Sequence, residues 1–306
     1  MKTDDVGITL KRIEERIPGI KCKRNEPMKN HTSFEIGGIV RAMLFPDSPE
    51  VFVALLLELA AAEVSTLVIG KGTNLLVADS LPDLIVVNTK GMCGIGLSGD
   101  GEIHAEAGAA LSALAMFAYE QGLTGLEFAH GIPGTAGGAV TMNAGAYGSE
   151  IGEVILRTEA FNRENGVFTL ENADHCFSYR TSRFSASGEI ILSTVVKLQN
   201  GSRGDIMALM DDYASRRSKS QPLGIASAGS TFKRPKLGYA AELIDQAGLR
   251  GYTAGRAMVS EKHAGFVVNK GGASFADVMA VIDHVRETVL KSSGIELEPE
   301  VRIVTG

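Results

Sequence analysis

The chain has 306 residues, 44% of them hydrophobic and 22% charged, and carries a formal net charge of −6. That length accommodates two or three modest domains, and the acidic balance argues against general nucleic-acid binding, which needs a basic footprint. No apolar stretch approaches the twenty residues of a membrane span, since the longest, Val51 to Ala62, carries Glu58.

The opening MKTDDVGITLKRIEERI alternates charge in a helical manner and lacks the apolar core of an export signal, so a cytoplasmic location is expected. Residues from about 30 to 90 read as strands IVRAMLF, TLVIG and LIVVN around one helix, Pro49 to Glu63, which makes a small α/β unit. Next come IHAEAG, an amphipathic helix from Ala110 to Gly122, a glycine-rich run, and the strands EVILRTEAFN and EIILSTVVKLQ. After Gly201 follow helix DIMALMDDYASRR, a basic serine-glycine region, helix YAAELIDQAG, strand HAGFVVN, a helix from Phe275 to Leu290 and strand EVRIV. This order places domains at 1–90, 91–200 and 201–306, with no internal repeat.

Cys22, Cys93 and Cys176 are far apart with no CxxC, and the six histidines show no HxxxH or HxH spacing. Neither a disulfide framework nor a bound metal is expected. His130 is the one histidine inside the glycine-rich run, where it reads as a hydrogen-bonding scaffold.

Two glycine segments stand out. The run from Leu126 to Gly148 (LEFAHGIPGTAGGAVTMNAGAYG) is nearly uncharged and holds apolar anchors at Leu126, Phe128, Ile132, Val140 and Met142, so it reads as an ordered loop that brings backbone close to a ligand. The segment GKGTNLLVAD (Gly70 to Asp79) follows a strand but matches neither GxGxxG nor GxxxxGK[ST]. Two such segments, about sixty residues apart, suggest one long cofactor whose diphosphate and ring are held by different loops.

From Arg216 to Lys236 the chain carries Arg216, Arg217, Lys219, Lys233, Arg234 and Lys236 with no Asp or Glu, which is either an anion site or a solvated basic face. Ser230, after Gly229 and three residues before Lys233, lies outside any GxSxG elbow. It is either a turn cap or a hydroxyl able to deliver a proton beside a cation.

Over essentially its whole length the sequence resembles the UDP-N-acetylenolpyruvoylglucosamine reductases. The resemblance rests on HTSFEIGG (His31 to Gly38), GKGTNLLVAD, GLEFAHGIPGTAGGAVTMNAGAYG, YRTSRF (Tyr179 to Phe184), QPLGIASAGSTFKRP, SEKHAGFVVN (Ser260 to Asn269) and LEPEVRIVTG, in that order, and its short form is similar to the type II branch. The sequence departs from the family pattern at Arg234 and Arg256.

The resemblance implies an α+β fold: a two-part N-terminal FAD-binding module of the PCMH/vanillyl-alcohol-oxidase type and a C-terminal α/β substrate-binding domain. It implies an FAD-dependent, NADPH-driven oxidoreductase of peptidoglycan precursor synthesis, with non-covalent FAD, acting as a monomer on a nucleotide sugar without membrane or nucleic acid. It assigns FAD contacts to Gly70, Lys71, Gly72, Thr73, Asn74 and Leu75, to Gly131, Ile132, Pro133, Gly134, Thr135, Gly137 and Gly138, and to Asn143, Ala144, Gly145 and Ala146. Ser230 becomes the proton donor, Arg180 and Glu300 its catalytic companions, and Tyr179, Arg217 and Lys233 substrate contacts.

Overall fold

The computed structural model describes residues 3–305; Met1, Lys2 and Gly306, which open the first expected domain and close the last, lie outside the described residues. Two compact units are discontinuous in sequence, unlike three consecutive domains: one comprises 1–24, 41–71 and 83–216, the other 25–40, 72–82 and 217–306.

In the first unit, helix α1 (Thr3–Arg16) and helix α2 (Pro49–Ala61) share a core built from Val6, Leu10, Ile13, Phe52, Leu55 and Leu59. α2 starts where it does because Ser48 takes an extended backbone and its hydroxyl accepts from the Val51 amide at 3.3 Å, while Pro49 fills the first turn with its φ already set. Strand Thr66–Ile69 pairs in parallel with the end of strand Ser80–Asn88, from Ile85 to Asn88, and leads straight into Gly70. A second, antiparallel sheet runs in the order Gly166–Glu171, Ile155–Asn162, Ile190–Lys197, Glu102–Glu106, Ile95–Gly99. Helix α3 (Leu111–Glu120) packs on its core through Leu111, Leu114, Ala115 and Ala118.

The glycine-rich run holds a short helix, α4 (Ala136–Met142), where the sequence reads as loop throughout. Gly137 and Gly138 are poor helix formers. Thr135 offsets this by capping the Gly138 amide at 3.3 Å, and a buried face of Ala136, Ala139 and Val140 joins the core. Tertiary packing here overrides propensity.

In the second unit, strands Ala226–Ser230, Phe266–Asn269, Ala257–Val259 and Thr253–Ala254 form an antiparallel sheet in that order. The chain reaches it through α5 (Arg203–Ser220), and α6 (Ala240–Gln246) and α7 (Phe275–Ser293) share its core. α7 presents Val278, Val281, Ile282, Val285 and Val289, spaced for one helical face, each stabilising the fold by about 1.5–3 kcal/mol through burial. A Ser274–Asp277 capping box opens this helix and Gly294, at φ 71, closes it. Strand Leu75–Val77 pairs in parallel with Arg302–Val304, tying the second glycine segment to the end of the chain.

Candidate functional site

The two glycine segments touch within the first unit. A Cβ placed on Gly70 would lie 2.3 Å from Thr135 Oγ1 and 2.8 Å from its Cγ2, so only glycine fits where the strand from Thr66 ends against the run that starts α4. A Cβ on Gly137 would meet the Ala107 Cβ at 3.0 Å, a tight but less severe approach.

Peptide orientations determine which groups of these segments can meet a ligand. The Gly134 carbonyl accepts from the Leu111 amide at 3.2 Å, so the planar peptide turns the Thr135 N–H the opposite way. In the second unit the Gly72 carbonyl accepts from Ser33 N at 3.2 Å, which likewise turns the Thr73 N–H outward. Gly72 itself has φ 63, and a Cβ there would meet the His31 carbonyl oxygen at 2.1 Å. Asn74 closes the loop: its carbonyl accepts from Arg302 N at 2.9 Å and its Nδ2 donates to the Glu300 carbonyl at 3.2 Å. Leu75 is buried and Lys71 exposed.

Along the longer run, Gly131 and Pro133 are exposed, and Ile132 and Ala144 pack on the core. The first amides of α4 are engaged by the protein, Ala136 N to Ala109 O at 2.8 Å, Gly137 N to Ala107 O at 2.9 Å and Gly138 N to Thr135 Oγ1, so the helix end is no anion site. His130 Nδ1, at the head of the run, is buried with no hydrogen-bond partner. Within the first unit an FAD fits the run from Gly131 to Gly138: backbone with almost no charged side chains, the Thr135 amide turned away from Leu111, and the buried, unpartnered Nδ1 of His130 at its head.

Beyond α4 the chain turns on Asn143, in the left-handed region at φ 42, and forms a tight hairpin in which Gly145 and Ala146 pair with Glu150 and Ser149. Its tip is Tyr147 and Gly148, at φ 57 and 93; the Tyr147 ring stacks on Tyr213 at 4.2 Å. Nearby, Ser178 and Thr181 exchange two backbone hydrogen bonds of 3.1 Å, leaving Tyr179 and Arg180 as the two central residues of a turn. Arg180 has φ 54, where glycine is the usual occupant and an L side chain costs about 1–2 kcal/mol. Its guanidinium donates to the Gly145 carbonyl at 3.1 Å and lies 5.3 Å from the Tyr179 ring centre.

In the second unit, Ser230 ends strand Ala226–Ser230 rather than sitting in a free turn. The register with Phe266–Asn269 slips between Ser227 and Ser230, and Gly229 takes φ 79 there, a bulge that re-aims the exposed serine. Thr231 then locks the chain: its Oγ1 accepts from Val267 N at 2.9 Å and its amide donates to Gly265 O at 2.8 Å. Glu300 N donates to Thr231 O at 2.8 Å, and Lys233 N to Glu298 O at 2.9 Å. Ser230 and Glu300, seventy residues apart in sequence, thus lie on adjoining backbone segments of one unit, whereas Arg180 and Tyr179 belong to the other.

The basic stretch is partly engaged by the protein. Arg216 pairs with Asp212 at 2.6 Å, Lys233 with Glu298 at 2.5 Å, and Arg234 lies over the Tyr239 ring at 4.2 Å, while half-buried Arg217 is in the last turn of α5. Each unit also holds one histidine in which burial pushes the pKa below the ordinary 6.5: His175, three residues before Ser178 in the first, and His263, edge-on to Phe266 in the second. The residues that sequence reasoning missed are Thr135 as a cap, Thr231 as a lock, and Glu150, which no sequence signal marks.

Residues 40–170 match the family model for an FAD binding domain, and residues 221–304 match that for the UDP-N-acetylenolpyruvoylglucosamine reductase C-terminal domain. A UDP-N-acetylenolpyruvoylglucosamine reductase of Caldanaerobacter subterraneus subsp. tengcongensis is 42% identical, covering 97% of this chain and 98% of its own. One from Pediococcus pentosaceus is 43% identical over 95% and 97%. The crystal structure of the Thermus caldophilus reductase superposes with a TM-score of 0.79 at 29% identity, covering 93% of this chain and 98% of that one. Alkyldihydroxyacetonephosphate synthase, at 13% identity and a TM-score of 0.50, shares the fold over 63% of this chain and 40% of its own.

Proposed function

The chain belongs to the UDP-N-acetylenolpyruvoylglucosamine reductase family, and from that premise we propose that it reduces the enolpyruvyl ether of UDP-N-acetylglucosamine enolpyruvate with electrons from NADPH, yielding UDP-N-acetylmuramate for peptidoglycan. FAD, when bound, supplies the two-electron carrier between NADPH and the sugar nucleotide. Gly70 to Leu75, Gly131 to Thr135, Gly137, Gly138 and Asn143 to Ala146 would hold it, through backbone rather than charge. The enzyme works as a cytoplasmic monomer on a small molecule.

Hydride addition at the terminal methylene carbon leaves negative charge as an enolate on the carboxylate side. Arg180, already fixed by its turn and by Gly145, supplies a cation for that charge without reorganising during the reaction. The Ser230 hydroxyl gives its proton to the adjacent carbon; a hydroxyl is a sufficient acid toward a carbanion-like enolate. Glu300, held one residue from Ser230 on the neighbouring segment, orients that transfer or serves as the alternative acid. Arg217 offers a fork and Lys233 a point charge to the diphosphate and carboxylate, Lys233 exchanging Glu298 for the ligand, and Tyr179 packs on the substrate.

The observation that carries this assignment is the backbone bond between Glu300 and Thr231, which supports a shared proton-transfer role for Ser230 and Glu300. The test is an anaerobic visible spectrum. A flavin band that NADPH bleaches and the enolpyruvyl sugar restores supports the reading; a band restored only by oxygen overturns the substrate assignment.

A further inference from the structure

The Asn143 side chain is fully engaged by protein. Its two Nδ2 protons go to Glu150 Oε2 at 2.6 Å and to the Ser178 carbonyl at 3.0 Å, and its Oδ1 accepts from Gly152 N at 3.0 Å. The flipped amide would set its oxygen against a carboxylate and a carbonyl, so these partners fix its orientation. The residue is 1% exposed and sits at φ 42, a conformation asparagine tolerates better than most.

Ser178 is the residue that opens the Tyr179–Arg180 turn, and Gly145, two residues beyond Asn143, accepts from the Arg180 guanidinium. The same short segment therefore grips the turn at its base, through Asn143, and at the end of the arginine side chain, through Gly145. A turn that carries an arginine at φ 54 is strained, and strain persists only where surrounding contacts over-determine the conformation. Three hydrogen bonds on a buried amide, one of them to a carboxylate, supply such contacts.

We propose that Asn143, together with Glu150, is a positioning residue for Arg180: a clasp that holds the strained turn so that the guanidinium keeps its place while charge develops on the substrate. The catalytic part of this inference rests on the function proposed above. Glycine at 143 keeps the left-handed backbone while removing all three side-chain bonds, and Asn143→Asp keeps the shape while turning two attractive contacts repulsive.

The experiment has two readouts on the flavin-loaded protein. The first is limited trypsin digestion followed by mass spectrometry, comparing cleavage after Arg180 with cleavage after Arg163, which is exposed at the tip of the hairpin joining strands Ile155–Asn162 and Gly166–Glu171. Asn143→Gly and Asn143→Asp are expected to raise the Arg180-to-Arg163 ratio at least tenfold. The second is stopped-flow reoxidation of the reduced flavin by the enolpyruvyl sugar. Asn143→Gly slows it ten- to a hundredfold, yet adds less than a twofold loss on top of Arg180→Ala, since a clasp has nothing left to hold.

An unchanged cleavage ratio, or a loss that multiplies with that of Arg180→Ala, overturns the proposal. If Asn143→Gly does not fold, Glu150→Ala, which removes one acceptor, is judged by the same ratio. If the wild-type flavin is not reoxidised by the sugar, the proposed function falls and the cleavage ratio alone decides the clasp.

Discussion

Arg180 is the second central residue of a two-residue turn and itself adopts φ 54, whereas Ser230 ends a strand whose left-handed residue is its neighbour, Gly229, at φ 79. In the second unit the conformational demand falls on a residue with no side chain, so the serine proposed as proton donor takes an ordinary backbone. In the first unit the demand falls on the arginine proposed to meet the developing charge, and Asn143 and Gly145 bond to its turn and its guanidinium. Placing strain beside a functional group calls only for glycine; placing it on the group calls for a clasp.

The largest effects test the chemistry at the two places. Ser230→Ala is expected to slow flavin reoxidation by the enolpyruvyl sugar 10²–10⁴-fold, the usual worth of a positioned acid, and to slow NADPH-driven flavin reduction far less. Stopped-flow traces of both half-reactions decide it, and equal losses would remove Ser230 from the proton-transfer step.

Backbone effects come next, and they are opposite in kind. At Arg180, glycine should be more stable than alanine by about 1 kcal/mol, the reverse of the ordinary order, because alanine retains the Cβ that the left-handed region penalises. At position 229, replacing the native glycine with alanine should cost about 1–2 kcal/mol even though its Cβ would enter open space. Urea midpoints of the four proteins measure this, and an Arg180→Ala variant as stable as Arg180→Gly would show that the turn relaxes instead of being held.

The smallest effect concerns pH. Burial lowers the pKa of His175 and His263, so the unfolded chain binds protons more readily than the folded one below the ordinary value of 6.5. The stability from each neutral histidine is present above pH 6.5 and is lost as pH falls from there, by at most about 1.4 kcal/mol per histidine for the first pH unit. His175 stands three residues before Ser178, which opens the strained turn, with its ring nitrogens on Thr158 and the Glu171 carbonyl. Hydrogen exchange at pH 7.5 and 5.5 should therefore show the amides of 176–181 opening before those of 226–230. The reverse order would sever His175 from the turn.

Much of this fold is legible in the sequence where periodicity meets a cap. Val278, Val281, Ile282, Val285 and Val289 announce α7, and Ser48 followed by Pro49 announces the start of α2. The strand Lys21–Pro27 is not legible, because KCKRNEP is mostly polar and largely exposed, with no apolar alternation. α4 is hidden by its glycines, whose cost is offset by contacts with residues such as Ala107 and Ala109 that local sequence does not reveal. At the site, the seven motifs mark Arg180, Ser230 and Glu300, but the Asn143 clasp depends on residues 150, 152 and 178, and no spacing rule links them. Nor does SAGST look like a strand: Gly229 reads as a turn signal until the ladder to Phe266 is seen.

The contact between Gly70 and Thr135 has a consequence for inheritance. With 2.3 Å between a would-be Cβ and the threonine hydroxyl, Gly70 cannot gain a side chain while Thr135 stays as it is. A side chain can enter at position 70 only after position 135 has become smaller, so Gly70→Ala should fold poorly alone and better when combined with Thr135→Gly.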